Sequence, residues 1–188
     1  MTKFDDDLSR TVSLALRHDP ARYELCLDRD GWVRLSDLIA ALRISDSGWS
    51  ALTLADLERM IEASSKRRHE ISGNRIRALY GHSTTNLVRH VSSMPPVLLF
   101  HGTSPEAWSL IQNEGLLPMR RQYVHLASDR ETAESLGRKK AEDPVVIAVR
   151  AQDAHEAGIR FDIGNDLVWL VGHVPAQYLA ADRDQRTK

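Results

Sequence analysis

Apolar residues recur at near-helical spacing at Leu8, Val12, Leu14, Ala15 and Leu16, directly after the acidic run Asp5, Asp6, Asp7. Negative charge suits the positive end of a helix dipole, so the pattern predicts a first helix of about three turns that ends near Asp19-Pro20, where Pro cannot continue it. Residues 27–35, LDRDGWVRL, predict a turn at Asp30-Gly31 and then a short extended piece, after which Ser36 stands where it can cap a helix over 37–42. Thr53 with Asp56 three residues on has the form of a capping box and opens an amphipathic helix through Leu57, Met60 and Ile61. The period then changes from helical to alternating: 69–72 and 75–80 flank Gly73-Asn74 and predict a two-stranded hairpin. Three helices followed by a hairpin is the order of a winged helix or of another small α+β lobe, over residues 1–90.

Residues 91–96, VSSMPP, read as a linker, because paired Pro residues favour extended chain. The texture then becomes strand-rich. An apolar strand over 97–100 leads to a helix capped by Ser104-Pro105, which carries Trp108, Leu110 and Ile111 and stops at Gly115. A second strand over 123–127, a helix from about 129 to 140, and strands over 145–149 and 168–171 complete an α+β fold class.

Composition changes this picture little and charge changes it more. The chain has 188 residues and a formal net charge of −1, so any grip on a polyanion must be local rather than a general basic field. Of the 25 basic residues 20 are Arg, the side chain that binds phosphate with a planar fork, although a GC-rich genome produces the same excess. A single Cys, Cys26, excludes a disulfide framework and a cysteine metal cluster, and fits a reducing, cytoplasmic setting. The polar, acidic start and the lack of any long apolar run argue against secretion and membrane insertion.

Four constellations could carry chemistry. Arg17-His18, at the end of the first helix, serves either as a dipole cap or as a site for a phosphate or carboxylate with a proton donor beside it. Lys66, Arg67, Arg68 and His69, with Arg75 and Arg77 across the hairpin, form either a solvated wing or a basic face for nucleic acid. His101-Gly102-Thr103 follows an apolar strand and precedes a helix start, where glycine permits close approach and backbone donors suit an anion or carboxamide. Arg120 and Arg121 lead into a strand on which Tyr123 and His125 share a face and Val124 points to the core. Phosphate-loop, dinucleotide, zinc-protease and serine-hydrolase signatures are missing, and no His pair has metal-ligand spacing with a carboxylate, which leaves metal-free, arginine-based chemistry.

Together and in order, the segments SLALRHDP (13–20), LDRDGWVRLSDL (27–38), KRRHEI with RIRALYGHS (66–83), LLFHGTSPEAWSLIQNEGLLPMRRQYVHLAS (98–128) and LVWLVGHVPAQYL (167–179) resemble the RNA 2′-phosphotransferase family, called KptA in bacteria and tRNA 2′-phosphotransferase in eukaryotes. The resemblance implies a winged-helix-like RNA- and phosphate-binding lobe over 1–92 and an ADP-ribosyltransferase-like NAD-binding lobe over 93–188. It implies NAD consumed as co-substrate with no metal, and a partner RNA, tRNA-like, that carries an internal 2′-phosphate. The RNA 2′-phosphate attacks the anomeric carbon of the nicotinamide ribose and expels nicotinamide. The ribose 2″-hydroxyl then attacks that phosphate, giving 2′-hydroxyl RNA and ADP-ribose 1″,2″-cyclic phosphate, a repair step of the kind used in tRNA splicing. The family's essential Arg, His, Arg, Arg set falls on Arg17, His18, Arg68 and Arg121. His101, Gly102, Thr103, Ser104 and His125, with Gly81, His82 and Ser83 of the family's GHS, form the implied NAD-binding set. A monomer without membrane contact is expected.

The chain departs from the family at Tyr123, where His is usual, and at Leu79-Tyr80, where Asn-Gln is usual. Gly137-Arg138-Lys139-Lys140 matches the family's G-x-R-H-G only loosely, so Arg138 and Lys139 receive no specific role. Two other functions compete: an ADP-ribosyltransferase that caps nucleic-acid phosphate ends and stops after the first step, and a non-enzymatic winged-helix regulator that binds nucleic acid.

Overall fold

The structure, a computed structural model, describes residues 2–64 and 67–182, which fall into two compact units, Met1–Arg89 and His90–Lys188. Both are α+β, each built on its own antiparallel sheet.

The first unit opens with α1 (Lys3–Ser13). Its start is fixed by a reciprocal cap: the Thr2 hydroxyl accepts from the Asp5 N–H at 3.2 Å while the Asp5 carboxylate accepts from the Thr2 N–H at 2.9 Å. The helix does not simply stop before Pro20. Leu14–His18 widens into a π-helical turn, closed by the Asp19 N–H on the Leu14 carbonyl at 2.9 Å. One extra residue per turn re-aims the side chains that follow, so Ala15 and Leu16 stay in the core, Arg17 is buried and His18 is exposed.

Next come β1 (Trp32–Arg34), α2 (Leu35–Ser45), α3 (Leu54–Glu62), β2 (His69–Ser72) and β3 (Arg75–Ala78). Ser36 is not the cap expected for α2. The helix begins two residues earlier and runs further, because the Leu35 N–H is satisfied from across the fold by the Asn74 carbonyl at 2.9 Å, and the Ser36 hydroxyl turns to Asp37 instead. The capping box at Thr53 and Asp56 is present. Gly73 makes the hairpin turn at φ 57°, a conformation that a Cβ would strain. The sheet runs β1-β3-β2, with Trp32 opposite Arg77 and Val33 opposite Ile76. Alternation along β3 sends Ile76 and Ala78 into a core with Leu8, Leu16, Leu38, Leu57 and Met60, and turns Arg75 and Arg77 outward.

The second unit contains β4 (Val91–Ser92), β5 (Leu98–Thr103), α4 (Pro105–Glu114), β6 (Val124–Ala127), α5 (Arg130–Gly137), β7 (Val145–Arg150), α6 (Ala151–Glu156), β8 (Phe161–Asn165), β9 (Val168–Val171) and β10 (Leu179–Ala181). Among the described residues the sheet has seven strands, ordered β10-β7-β5-β6-β9-β8-β4. Val91 and Ser92, expected in a linker, pair instead with Ile163 and Asp162 as an edge strand. The sequence pattern also missed β8, β10 and α6; β8 interleaves Asp162 and Gly164 with its apolar residues and so lacks an unbroken apolar run. Leu99, Leu126, Ile147, Val149, Phe161 and Val171 form the core.

The strand expected to end at Phe100 continues through His101-Gly102-Thr103, so these residues belong to β5 rather than to a loop after it. Gly102 is there for space. A Cβ on it would lie 1.9 Å from the Ala133 carbonyl oxygen, so α5 rests directly on the strand backbone.

Candidate active-site residues

In the first unit the π-helical end of α1 gathers residues that are distant in sequence. Arg17 is only 8% exposed, and its Nη2 donates to the Arg68 carbonyl at 3.0 Å. Its guanidinium lies over the Tyr80 ring, 5.2 Å from the centroid. The Arg17 carbonyl in turn accepts the Ser83 N–H at 2.9 Å, and the Ser83 hydroxyl sits 2.9 Å from His18 Nδ1. Arg17, His18, Arg68, Tyr80 and Ser83 therefore form one connected group. Gly81 (φ 90°) makes the bend that returns the chain, and His82 is buried beneath it. Tyr80, one of the family departures, has here a definite contact: it stacks on a buried cation.

His69, at the start of β2, is buried with its ring 3.2 Å from the Ser13 hydroxyl. Burial holds its pKa well below that of an ordinary histidine, and the charges of Arg17 and then Arg68 act in the same direction. His69 is thus a neutral packing group set among cations. Arg75 and Arg77, the other half of the expected basic wing, are engaged elsewhere. Arg77 pairs with Glu70 at 2.7 Å and Arg75 with Asp28 at 3.5 Å, and both guanidiniums flank Trp32. Lys66 lies outside the described residues.

In the second unit His101 projects from β5 and bonds through Nδ1 to the His125 carbonyl at 2.9 Å. A carbonyl can only accept, so Nδ1 carries the proton and Nε2 presents a lone pair. Burial, then the Lys140 charge, and to a lesser degree Arg121 push the His101 pKa down to about 4, against a raising effect from the His125 carbonyl. The ring is neutral at pH 7. His125, on β6, contacts Arg121 Nη1 through its own Nδ1, which must act as the acceptor because a guanidinium has none. Thr103 is buried, and the Ser104 hydroxyl accepts the Ala107 N–H as the N-cap of α4.

One residue of this group was not singled out from sequence. Lys140 Nζ donates to the Gly102 carbonyl at 2.9 Å, and burial followed by the Arg121 charge lowers its pKa. Arg138, by contrast, pairs with Glu134 at 2.7 Å. No sequence signal marks Lys140; it is the close approach of α5 to Gly102, a tertiary contact, that brings the end of that helix to β5.

Among the described residues there is no group of three or more His, Cys, Asp or Glu able to hold a metal ion, and no helix is long and apolar enough to cross a membrane. Both groups have the composition of oxyanion sites, guanidinium donors beside imidazoles, and the second adds the Lys140 ammonium.

Residues 3–173 match the sequence profile described as RNA 2′-phosphotransferase, Tpt1 / KptA family. A protein of Bacillus thuringiensis subsp. konkukian named as a probable RNA 2′-phosphotransferase is 44% identical over 97% of this chain and 98% of its own length. Proteins of the same name from Acetivibrio thermocellus and Streptomyces coelicolor are 43% and 39% identical, each over 92% of this chain and over 94% and 92% of their own lengths. With a profile that spans most of the chain and relatives matched nearly end to end, the chain belongs to the RNA 2′-phosphotransferase, Tpt1 / KptA family of transferases.

Proposed function

We propose that the protein is an NAD-consuming RNA 2′-phosphotransferase, with a winged-helix-like first unit that engages the RNA phosphate and an ADP-ribosyltransferase-like second unit that binds NAD. The observation that carries this reading is the π-helical end of α1, which buries Arg17 against the Arg68 carbonyl and Tyr80 while it leaves His18 exposed on Ser83. A buried, pre-oriented guanidinium beside an exposed imidazole is suited to holding a phosphate and moving a proton at it. The overall reaction is the two-step transfer described above, with the RNA phosphate first joined to the ribose carbon that nicotinamide leaves.

Within it Arg17, Arg68 and Arg121 neutralise charge on the phosphate oxygens, which fixed guanidiniums do without a metal. His18 positions the same phosphate and protonates the departing RNA 2′-oxygen in the second step. His101, Gly102, Thr103 and His125 bind NAD, with Ser104, Gly81, His82 and Ser83 as the remaining contacts. A neutral His101, with its proton on Nδ1 and a lone pair on Nε2, suits hydrogen bonding to ribose hydroxyls. The winged-helix regulator is disfavoured by the engagement of Arg75 and Arg77 with Asp28, Glu70 and Trp32.

The test is to supply NAD and an oligoribonucleotide with an internal 2′-phosphate, without added metal, and to follow nicotinamide. Release that depends on the 2′-phosphate, with 2′-hydroxyl RNA and the cyclic phosphate as products, supports the reading. Nicotinamide release with a stable ADP-ribosylated RNA would instead identify a capping transferase, and no release at all would exclude both.

A further inference from the structure

The Lys140 ammonium is anchored where it has no obvious structural need to be. It reaches past the end of α5 to the Gly102 carbonyl at 2.9 Å, beside the His101 ring, which is itself fixed by the His125 carbonyl, while His125 meets Arg121. Two cations thus stand by two histidines, Arg121 at His125 and Lys140 beside His101. Among the described residues neither is paired with a carboxylate, although Arg130, Arg138 and Arg160 in the same unit all are. Like charges held together without a counter-charge disfavour the folded state unless an anion completes the cluster. The lowered pKa of Lys140, with Arg121 among its causes, agrees with cations that lie within each other's field.

We propose that Lys140 and Arg121 form a two-cation seat for one phosphate group beside His101, with Lys140 as a substrate-contacting residue of the second unit. This rests on the phosphotransferase reading and deepens it. The Gly102 carbonyl takes one of the three ammonium protons and fixes the direction of the others, as a seat for a single oxyanion requires. Arg138, nearer the start of the same segment, cannot take this part while it is tied to Glu134. The phosphate is that of the dinucleotide or that of the RNA, and binding distinguishes them.

Calorimetric titrations of ADP-ribose, and of a 2′-phosphorylated oligoribonucleotide against its 2′-hydroxyl form, would be compared for the wild-type protein, Lys140→Met and Lys140→Arg. Loss of one charge-assisted contact is expected to weaken one of the two phosphate ligands roughly tenfold or more in Lys140→Met, with a flatter salt dependence. Lys140→Arg should stay within about threefold, and neither variant should melt below the wild type. Weakening confined to ADP-ribose assigns the seat to the dinucleotide, and weakening confined to the phosphorylated RNA assigns it to the RNA. Full-strength binding of both ligands by Lys140→Met overturns the proposal. So does a loss shared by Lys140→Arg and accompanied by a lower melting temperature, which would make Lys140 a strut for Gly102. If the wild-type protein binds neither ligand, the phosphotransferase reading fails by itself. Inorganic phosphate titrated against the His101 ring signals then decides the seat: a response in the wild type that Lys140→Met lacks upholds it, and equal responses overturn it.

Discussion

Gly102→Ala is the sharpest test of how the second unit is built, because the obstacle to a methyl group there is backbone. The added Cβ would stand 1.9 Å from the Ala133 carbonyl oxygen, and 2.8 Å from both the Ala133 carbonyl carbon and the Gly137 nitrogen. Restoring ordinary van der Waals separation requires α5 to retreat from β5 by about 1.5 Å, and no side-chain rotation can substitute for that movement. Overpacking of this kind costs about 3 kcal/mol, the upper part of the usual range, since a whole helix must shift. For a unit of this size that corresponds to a fall in Tm of roughly 12 °C or more, readable by calorimetry or circular dichroism. The displacement also moves the Gly102 carbonyl from Lys140 and the strand end that carries His101, so turnover of NAD should fall with stability. Gly172→Ala is the matched control, with nothing within 4 Å of its added Cβ and no positive φ, and it should melt within about 2 °C of the wild type. A Gly102→Ala protein that melts as the control does would refute the close approach of α5, and with it the placement of Lys140.

Two further predictions concern the charged groups. His69 and His101 are held neutral in the folded protein, whereas the unfolded chain takes up protons below pH 6.5, so stability is full above that pH and declines as pH falls toward and below 5. For His101 the decline extends to about pH 4. Urea unfolding at pH 7.5 and pH 5 should show this slope in the wild type and a shallower one in His69→Gln, and equal slopes would remove His69 from the account. Arg17→Lys keeps the charge but loses the planar guanidinium, with its Nη2 bond to the Arg68 carbonyl and its stack on Tyr80, so nicotinamide release should fall about 10²-fold or more. Unchanged turnover would show that any cation suffices at that position.

Much of the secondary structure was legible because its signals are local. The Thr53 and Asp56 capping box, the Gly73 turn, and the Ser104-Pro105 start and Gly115 end of α4 each depend on hydrogen bonds or backbone angles within a few residues. Where the sequence reading went astray, a distant partner had intervened. Ser36 lost its capping role because the Asn74 carbonyl met the Leu35 N–H. Val91 and Ser92 became a strand because β8 offered them an edge, and β5 ran past Phe100 because Val145 and Val146 of β7 stood opposite Thr103 and Gly102.

The same distinction governs the candidate site. By itself the sequence determined which residues were available: an Arg-rich chain with Arg17-His18, Arg68, His101-Gly102-Thr103 and Arg121 in an order that resembles one family. Only the tertiary structure decided what state each of them is in. Arg77 and Arg138 are neutralised by Glu70 and Glu134, whereas Arg17 is buried against a carbonyl and a ring, and Lys140 is drawn to β5. The π-helical turn that buries Arg17 and exposes His18 carries no sequence signal of its own, since its wider hydrogen-bond spacing is selected by what packs on either side of it. A guanidinium's identity is written in the chain. Whether its charge is already satisfied is a sum over neighbours in space: Glu134 lies four residues from Arg138 and Glu70 seven from Arg77, whereas the carbonyl that holds Arg17 lies 51 residues away.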